Sequence, residues 1–132
     1  MARNNVVEAG LKGFDQGGSA SPIDMVHLEH QSLGDPGLQE EVLRLYTQMS
    51  GVYMRRIEDS LGSDDLMRHL HTLKSAAAGI GAWQVRDLAK HAEDALREGQ
   101  PVATTHVAAI AVAVAECQHF IAGLVEQSRA TG

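Results

Sequence analysis

Residues 63–82 read SDDLMRHLHTLKSAAAGIGA and have the hydrophobic period of a helix. Their apolar side chains recur at steps of three and four, as on one face of an α-helix: Leu66, Leu70, Leu73 and Ala77. Ser63 is expected to cap the helix, and the two acids after it suit its positive N-terminal end. Gly79 and Gly81 are expected to end it. The stretch predicts one amphipathic helix with a single buried face.

Helical segments are predicted on both sides of this one, at about 24–33, 35–60, 82–98 and 104–125. Asp35-Pro36 marks a sharp helix start, because Asp caps free N–H groups and Pro suits the first helical position. The helix that follows is expected to bury one stripe, made of Leu38, Val42, Leu45, Met49 and Val52. The fold class is therefore all-α, an antiparallel four-helix bundle with a short N-terminal helix across one end. Residues 1–20 are predicted to be a flexible lead-in, and residues 21–132 the bundle domain.

The composition agrees with a helical bundle. The chain has 132 residues, of which 44% are hydrophobic and only 4% aromatic, so small and aliphatic side chains must fill the core. The formal net charge is -6 and there is no long Lys/Arg cluster, which argues against nucleic acid or a membrane as partner. Cys117 falls on an apolar helical stripe and is expected to be a buried thiol. We find no signal peptide and expect no segment able to span a bilayer, which predicts a cytoplasmic protein. A closed bundle with polar outer faces is expected to be a monomer.

His71 does not belong to the buried stripe of its helix. At 100° per residue it points roughly 130° away from the centre of that stripe. Its neighbours on the outer face are Arg68, Lys74, Ser75 and Ala78. A solvated helix face normally carries long charged residues, but the turn beyond His71 carries only small ones. This face suits the approach of another protein.

An outward imidazole beside a lysine suits phosphoryl transfer. Imidazole is neutral and nucleophilic near neutral pH, so one ring nitrogen can attack phosphorus and later release the group. Positioning and charge stabilisation dominate such a transfer, and Lys74 would supply positive charge. The alternative is a surface histidine without a function, since the chain has seven histidines.

Residues 71–82, HTLKSAAAGIGA, closely resemble the signature of histidine-containing phosphotransfer (HPt) domains, a His-x-Leu-Lys followed by small residues and a Gly-Ala pair. The resemblance extends more loosely over about residues 22–127. It implies that His71 is the phosphorylated residue and that Lys74 supports the phosphoryl group. The family often has Gly four residues after the histidine, where this chain has Ser75, which is still small enough for a partner to dock.

The resemblance also implies partners and cofactors. The phosphoryl group would come from the receiver domain of a hybrid histidine kinase and pass to the receiver domain of a response regulator. The chain would be a phosphocarrier without an ATP site and without a cofactor of its own, and Mg2+ would come with the partner receiver. Arg68, Ser75, Ala78 and Gln84 are the expected docking residues, with Arg86 near the rim. Trp83 is expected to pack in the core or at the end of the bundle, and a place in the docking rim is the alternative.

Two other functions remain open at this point. The first is an adaptor bundle that binds a receiver domain or kinase without being phosphorylated. The second is a metal-binding bundle, for which His27 with His30, or Glu116 with His119, have suitable spacing. Two points argue against a metal. His27 and His30 are expected at a partly exposed helix end. A di-iron bundle needs two Glu-x-x-His motifs, and the sequence has one. His69 is expected to be a packed imidazole.

Overall fold

The computed structural model describes residues 21–131, and these form five α-helices and no strand. The helices are α1 (Met25–Gln31), α2 (Pro36–Asp59), α3 (Leu66–Ile80), α4 (Trp83–Arg97) and α5 (Thr104–Thr131). The predicted segments are therefore confirmed, although α5 runs about six residues further than its pattern indicated. The flexible lead-in predicted for residues 1–20 lies outside the described residues.

The four long helices close a bundle in which α3 packs against α2 and α4, and α5 packs against α2 and α4 from the other side. The predicted stripe of α3 is fully buried at the centre, with Leu66, Leu70, Leu73 and Ala77 at most 2% exposed. On α5 the expected buried residues are also found, from Val107 and Ile110 to Cys117 and Ile121. The all-α bundle predicted from the sequence is thus confirmed. Its core is aliphatic, as the low aromatic content requires.

The buried face of α2 differs from the predicted one. Leu38, Leu45 and Met49 are exposed by 41%, 59% and 37%, and the helix instead buries Leu43, Tyr46, Ser50, Met54 and Ile57. The two faces are roughly 120° apart around the helix. Apolar residues occupy both faces of α2, so periodicity alone does not identify the buried face, and the predicted face is wrong. Packing against α3 and α5 decides between them, because it favours the face that carries Tyr46 and Ile57.

Helix ends explain how α3 and α4 are held together. The predicted Ser63 cap is wrong: Asp65 occupies the N-cap position of α3, and Ser63 Oγ accepts a hydrogen bond from Asp65 N in the preceding turn. Gly79 continues the helix, and Gly81 ends it in the left-handed conformation with φ of 82°. A residue other than glycine is strained there. Helix α4 begins two residues later, so α3 and α4 form a tight hairpin.

Helix α1 is fastened to this hairpin by Asp24. The backbone N–H of Asp24 donates to the carbonyl of Gly81 at 2.9 Å, and its carboxylate accepts from His27 N and from Trp83 Nε1. The hydrogen bond from Trp83, followed by that from His27, lowers the pKa of Asp24 below its ordinary value. The His27 ring meets the edge of Trp83 at 4.8 Å between centroids. The short helix therefore lies at one end of the bundle, as predicted.

Helix α5 is apolar on its outer side as well as on its buried side. Its segment Thr104–Arg129 is long and apolar enough to cross a membrane, with a hydropathy of 1.7 over its most apolar window, of which 33% is buried. The expectation that no segment reaches this length and hydropathy is therefore wrong. The core helix of a soluble protein meets the same criterion, and the buried face of α5 packs in the bundle. Cys117 on that face is buried as predicted, which raises the pKa of its thiol to about 11.

Candidate functional site

His71 lies on the outer face of α3, in the first half of the helix. Its side chain is 59% exposed, whereas Leu70 and Leu73 on either side are buried in the core. The backbone of a helix packed on two sides is a rigid support for the ring. The outward position predicted from the helical wheel is the position found.

A carboxylate that the sequence analysis did not select lies beneath the imidazole. Glu93 projects from α4 toward α3, and its Oε2 lies 3.1 Å from Nδ1 of His71. The side chain of Glu93 has no solvent exposure, whereas Ala89 and Ala92 beside it on the buried face of α4 are apolar. Buried carboxylates are rare and need charged or hydrogen-bonding partners.

Two cations neutralise Glu93 from above. Lys74 Nζ lies 2.6 Å from Oε1 of Glu93, and the Lys74 side chain is 22% exposed. Arg97, one turn further along α4, has Nη2 3.9 Å from Oε2, and it is 55% exposed. Lys74 is thus held between the bundle and solvent, rather than moving freely as a surface lysine would. The imidazole and the ammonium share one carboxylate and therefore lie close together.

This arrangement determines the chemistry that the ring can perform. An ionised carboxylate only accepts hydrogen bonds, so Nδ1 is the ring nitrogen that carries the proton. In that tautomer Nε2 keeps its lone pair and is the nucleophilic atom. A buried carboxylate that orients a histidine in this way also stabilises positive charge on the ring. The site can therefore place a group on Nε2 without first removing a proton from the imidazole.

Three of the four predicted docking residues surround His71 on α3. Arg68 is exposed and pairs with Asp65 at 3.3 Å, Ser75 is exposed, and Ala78 is half-buried on the side toward α4. No bulky side chain stands on the turn between His71 and Ala78, because that turn carries Ser75 and the inward-bending Lys74. The surface around the ring is consequently open to a partner.

The fourth predicted docking residue is not brought to this surface. Gln84 is exposed in the first turn of α4, but at 100° per residue it points roughly opposite to Glu93. Arg86 lies on the same side of α4 as Glu93, and its guanidinium covers the Trp83 ring at 4.5 Å. Trp83 itself is half-buried and fastens α1, which is the end-packing role expected for it.

The two residue pairs with metal-ligand spacing lie on α1 and α5. The described residues contain no group of three or more His, Cys, Asp or Glu side chains placed to hold a metal ion. His27 turns toward Trp83, and His30 is exposed. Glu116 and His119 lie on the outer face of α5, where they line an open groove of about 610 Å³, whereas a di-iron site needs them inside the bundle. His69 is buried against Tyr53, as predicted.

The chain matches the Hpt domain family over residues 41–130, a range that includes α3, α4, most of α2 and nearly all of α5. Among solved structures it is similar to the crystal structure of the histidine phosphotransferase ShpA from Caulobacter crescentus. The two are 20% identical with a TM-score of 0.65, over 83% of this chain and 96% of that one, which is a likeness of fold. No curated protein matches the chain in sequence. The match over residues 41–130 covers more than half of the chain and contains the exposed histidine and its lysine, and the protein accordingly belongs to the Hpt domain family.

Proposed function

We propose that this protein is a phosphorelay intermediate. His71 accepts a phosphoryl group from the aspartyl phosphate of one receiver domain, that of a hybrid histidine kinase, and passes it to the receiver domain of a response regulator. A general phosphorelay role follows from membership of the Hpt family. The observation that carries the finer proposal is that His71 is 59% exposed while its Nδ1 is engaged by a buried carboxylate.

In the proposed reaction, the lone pair of Nε2 attacks phosphorus as the P–O bond to the receiver aspartate breaks. The phosphoryl group carries negative charge throughout, and such transfers depend on positioning and on nearby cations. Lys74 and Arg97 are cations that pair with the same carboxylate as the ring. We propose that the divalent cation, Mg2+, comes with the receiver domain, and that this chain contributes no ATP site.

The docking surface that we propose is centred on His71 and includes Arg68, Ser75 and Ala78. It continues onto α2, because Tyr53 of α2 contacts His69 of α3 and therefore marks the side of α2 that faces α3. Met49, one turn from Tyr53, lies on the same side, and both Met49 and Leu45 expose apolar surface. Exposed apolar residues of this kind favour contact with another protein. We also propose that the protein acts in the cytoplasm as a monomer.

The proposal is tested by transfer from receiver domains labelled with 32P. The full chain should become labelled, and the label should be lost in acid, as expected for a phosphoramidate. His71→Gln should abolish labelling, whereas His119→Gln, which changes an exposed histidine on α5, should leave it intact. Labelling of the His71→Gln protein would contradict the assignment. Receiver binding without any label on the unaltered chain would instead favour an adaptor.

A further inference from the structure

The contact between His71 and Glu93 affects the release of the phosphoryl group from His71 as well as its acceptance. We propose that the charge of Glu93 keeps Nδ1 of phosphorylated His71 protonated at neutral pH, and so makes the phosphoryl group short-lived and readily transferred in either direction. This inference rests on the proposed function of His71 and assigns to Glu93 the role of a positioning residue.

The proton balance of the ring explains the effect. In the resting protein, Nδ1 carries a proton that is directed at Oε2 of Glu93, 3.1 Å away. When Nε2 forms its bond to phosphorus, the ring becomes a cation that still holds the Nδ1 proton. When the bond breaks, the electron pair returns to Nε2, the phosphoryl group goes to a carboxylate oxygen or to water, and the ring leaves as a neutral imidazole.

Loss of the Nδ1 proton would interrupt this cycle. The leaving ring would then be an imidazolate anion, which is a far poorer leaving group, and the phosphoryl group would remain on His71. An adjacent carboxylate opposes that loss because it favours the cationic ring. Glu93 is well placed for this role, since it has no solvent exposure and water does not screen it as it would a surface acid.

The other charged groups near the ring do not replace Glu93. They are cations, which disfavour a protonated ring: Lys74 and Arg68 on α3, and Arg97 on α4. From α2, Tyr53 lies against His69 rather than His71, and the guanidinium of Arg56 covers the Tyr53 ring. Among the described residues, Glu93 is the acid that contacts the His71 ring.

Glu93→Gln separates the charge of this residue from its geometry. The amide oxygen of Gln can still accept a hydrogen bond from Nδ1, so the ring keeps its orientation, but the negative charge is gone. The matched control is Glu98→Gln, which makes the same chemical change at an exposed position on the end of α4.

The experiment labels His71 of each full-length variant with potassium phosphoramidate and follows the phosphohistidine by 31P NMR from acidic to alkaline pH. At about pH 8, we expect the phosphoryl group to survive about fivefold longer in Glu93→Gln than in the wild type, the size of change from a charge-assisted to a neutral hydrogen bond. The two lifetimes should converge in acid, where Nδ1 is protonated in both. Glu98→Gln should follow the wild type at every pH.

Each other outcome contradicts the inference. Equal lifetimes at all pH values would show that the charge of Glu93 does not act on the ring. A longer lifetime that does not depend on pH would assign the effect to Lys74, freed from Glu93 and bound to the phosphoryl group. Absence of label on His71 in the wild type would reject the proposed function itself, which distinguishes the two failures.

Discussion

The ammonium of Lys74 and the carboxylate of Glu93 lie 2.6 Å apart, and they join α3 to α4 directly beneath the exposed imidazole. The pair has two consequences. It compensates a carboxylate that has no solvent exposure, and it holds a cation at the carboxylate that contacts the His71 ring. The stability of the bundle and the proposed phosphoryl transfer are therefore expected to depend on the same two side chains.

Removal of the cation from this pair is expected to destabilise the bundle. Lys74→Met keeps the length of the side chain but leaves Glu93 with only His71 and Arg97. We expect a loss of about 1–3 kcal/mol in the free energy of unfolding, less than for a fully buried pair because Lys74 is partly exposed. Urea unfolding followed by circular dichroism measures it.

A matched control is Arg44→Met, which breaks the exposed pair of Arg44 with Glu40. It should cost no more than about 0.5 kcal/mol. In a double-mutant cycle, Glu93→Gln should recover part of the loss caused by Lys74→Met, because the carboxylate is no longer charged. If Lys74→Met and Arg44→Met lowered the free energy of unfolding equally, the view that the charge of Glu93 needs a compensating cation would be contradicted.

Ser75 tests whether the surface around His71 receives a partner. Ser75→Arg adds a long side chain one turn from the imidazole, at an exposed position where the fold should tolerate it. We expect transfer from a phosphorylated receiver domain to slow by at least about tenfold, because docking loses more than about 1.4 kcal/mol. Labelling by small phosphoramidate should be nearly unchanged. Ala108→Arg on the outer face of α5 is the control, and a similar slowing in that variant would argue against the proposed surface.

Gly81 tests the hairpin between α3 and α4. An added Cβ would lie 3.0 Å from the Cβ of Asp24 and 3.1 Å from its carbonyl oxygen, and the residue has φ of 82°. Gly81→Ala should therefore cost both the left-handed strain, about 1–2 kcal/mol, and the displacement of α1. Gly62 has nearly the same φ, 80°, but a Cβ added there would meet no neighbouring atom within 4 Å. Gly62→Ala should therefore show the backbone strain alone. Thermal unfolding of both variants compares them, and equal losses would show that the contact with Asp24 is unimportant.

Asp24 is expected to make the stability of the α1 contact depend on pH. Its pKa is lowered in the folded protein, chiefly by the hydrogen bond from Trp83, so the folded state favours the carboxylate. The stabilisation is present above the pKa of the unfolded chain and is lost as the pH falls through the lower folded value. Asp24→Asn keeps an N-cap but removes the charge.

The difference in unfolding free energy between wild type and Asp24→Asn should therefore be constant near neutral pH and shrink below about pH 4. Trp83 fluorescence during urea unfolding reports it, because Trp83 is the donor to Asp24. A difference that persists unchanged to about pH 2 would contradict this cause of the pH dependence.

Local sequence determined the helices and the direction of His71. The steps of three and four in α3 and α5, the Asp35-Pro36 start and the glycine at position 81 each act through neighbours within a turn or two, so they can be read without knowledge of the fold. The same holds for His71, since its angle from the buried stripe depends only on helix geometry. The family resemblance of residues 71–82 was equally visible in the sequence, and the match over residues 41–130 confirms it.

The tertiary structure alone decided which face of α2 is buried and what lies beneath His71. Helix α2 has apolar residues on two faces, and only its neighbours in the bundle select between them. Glu93 lies 22 residues from His71, and the sequence offers one signal for it, an acid next to Ala92 and one turn from Ala89. That signal does not identify the histidine or lysine that contacts the acid, because the contact depends on how α3 and α4 pack against each other. Contacts between helices are set by the register of packing, which a single sequence does not display.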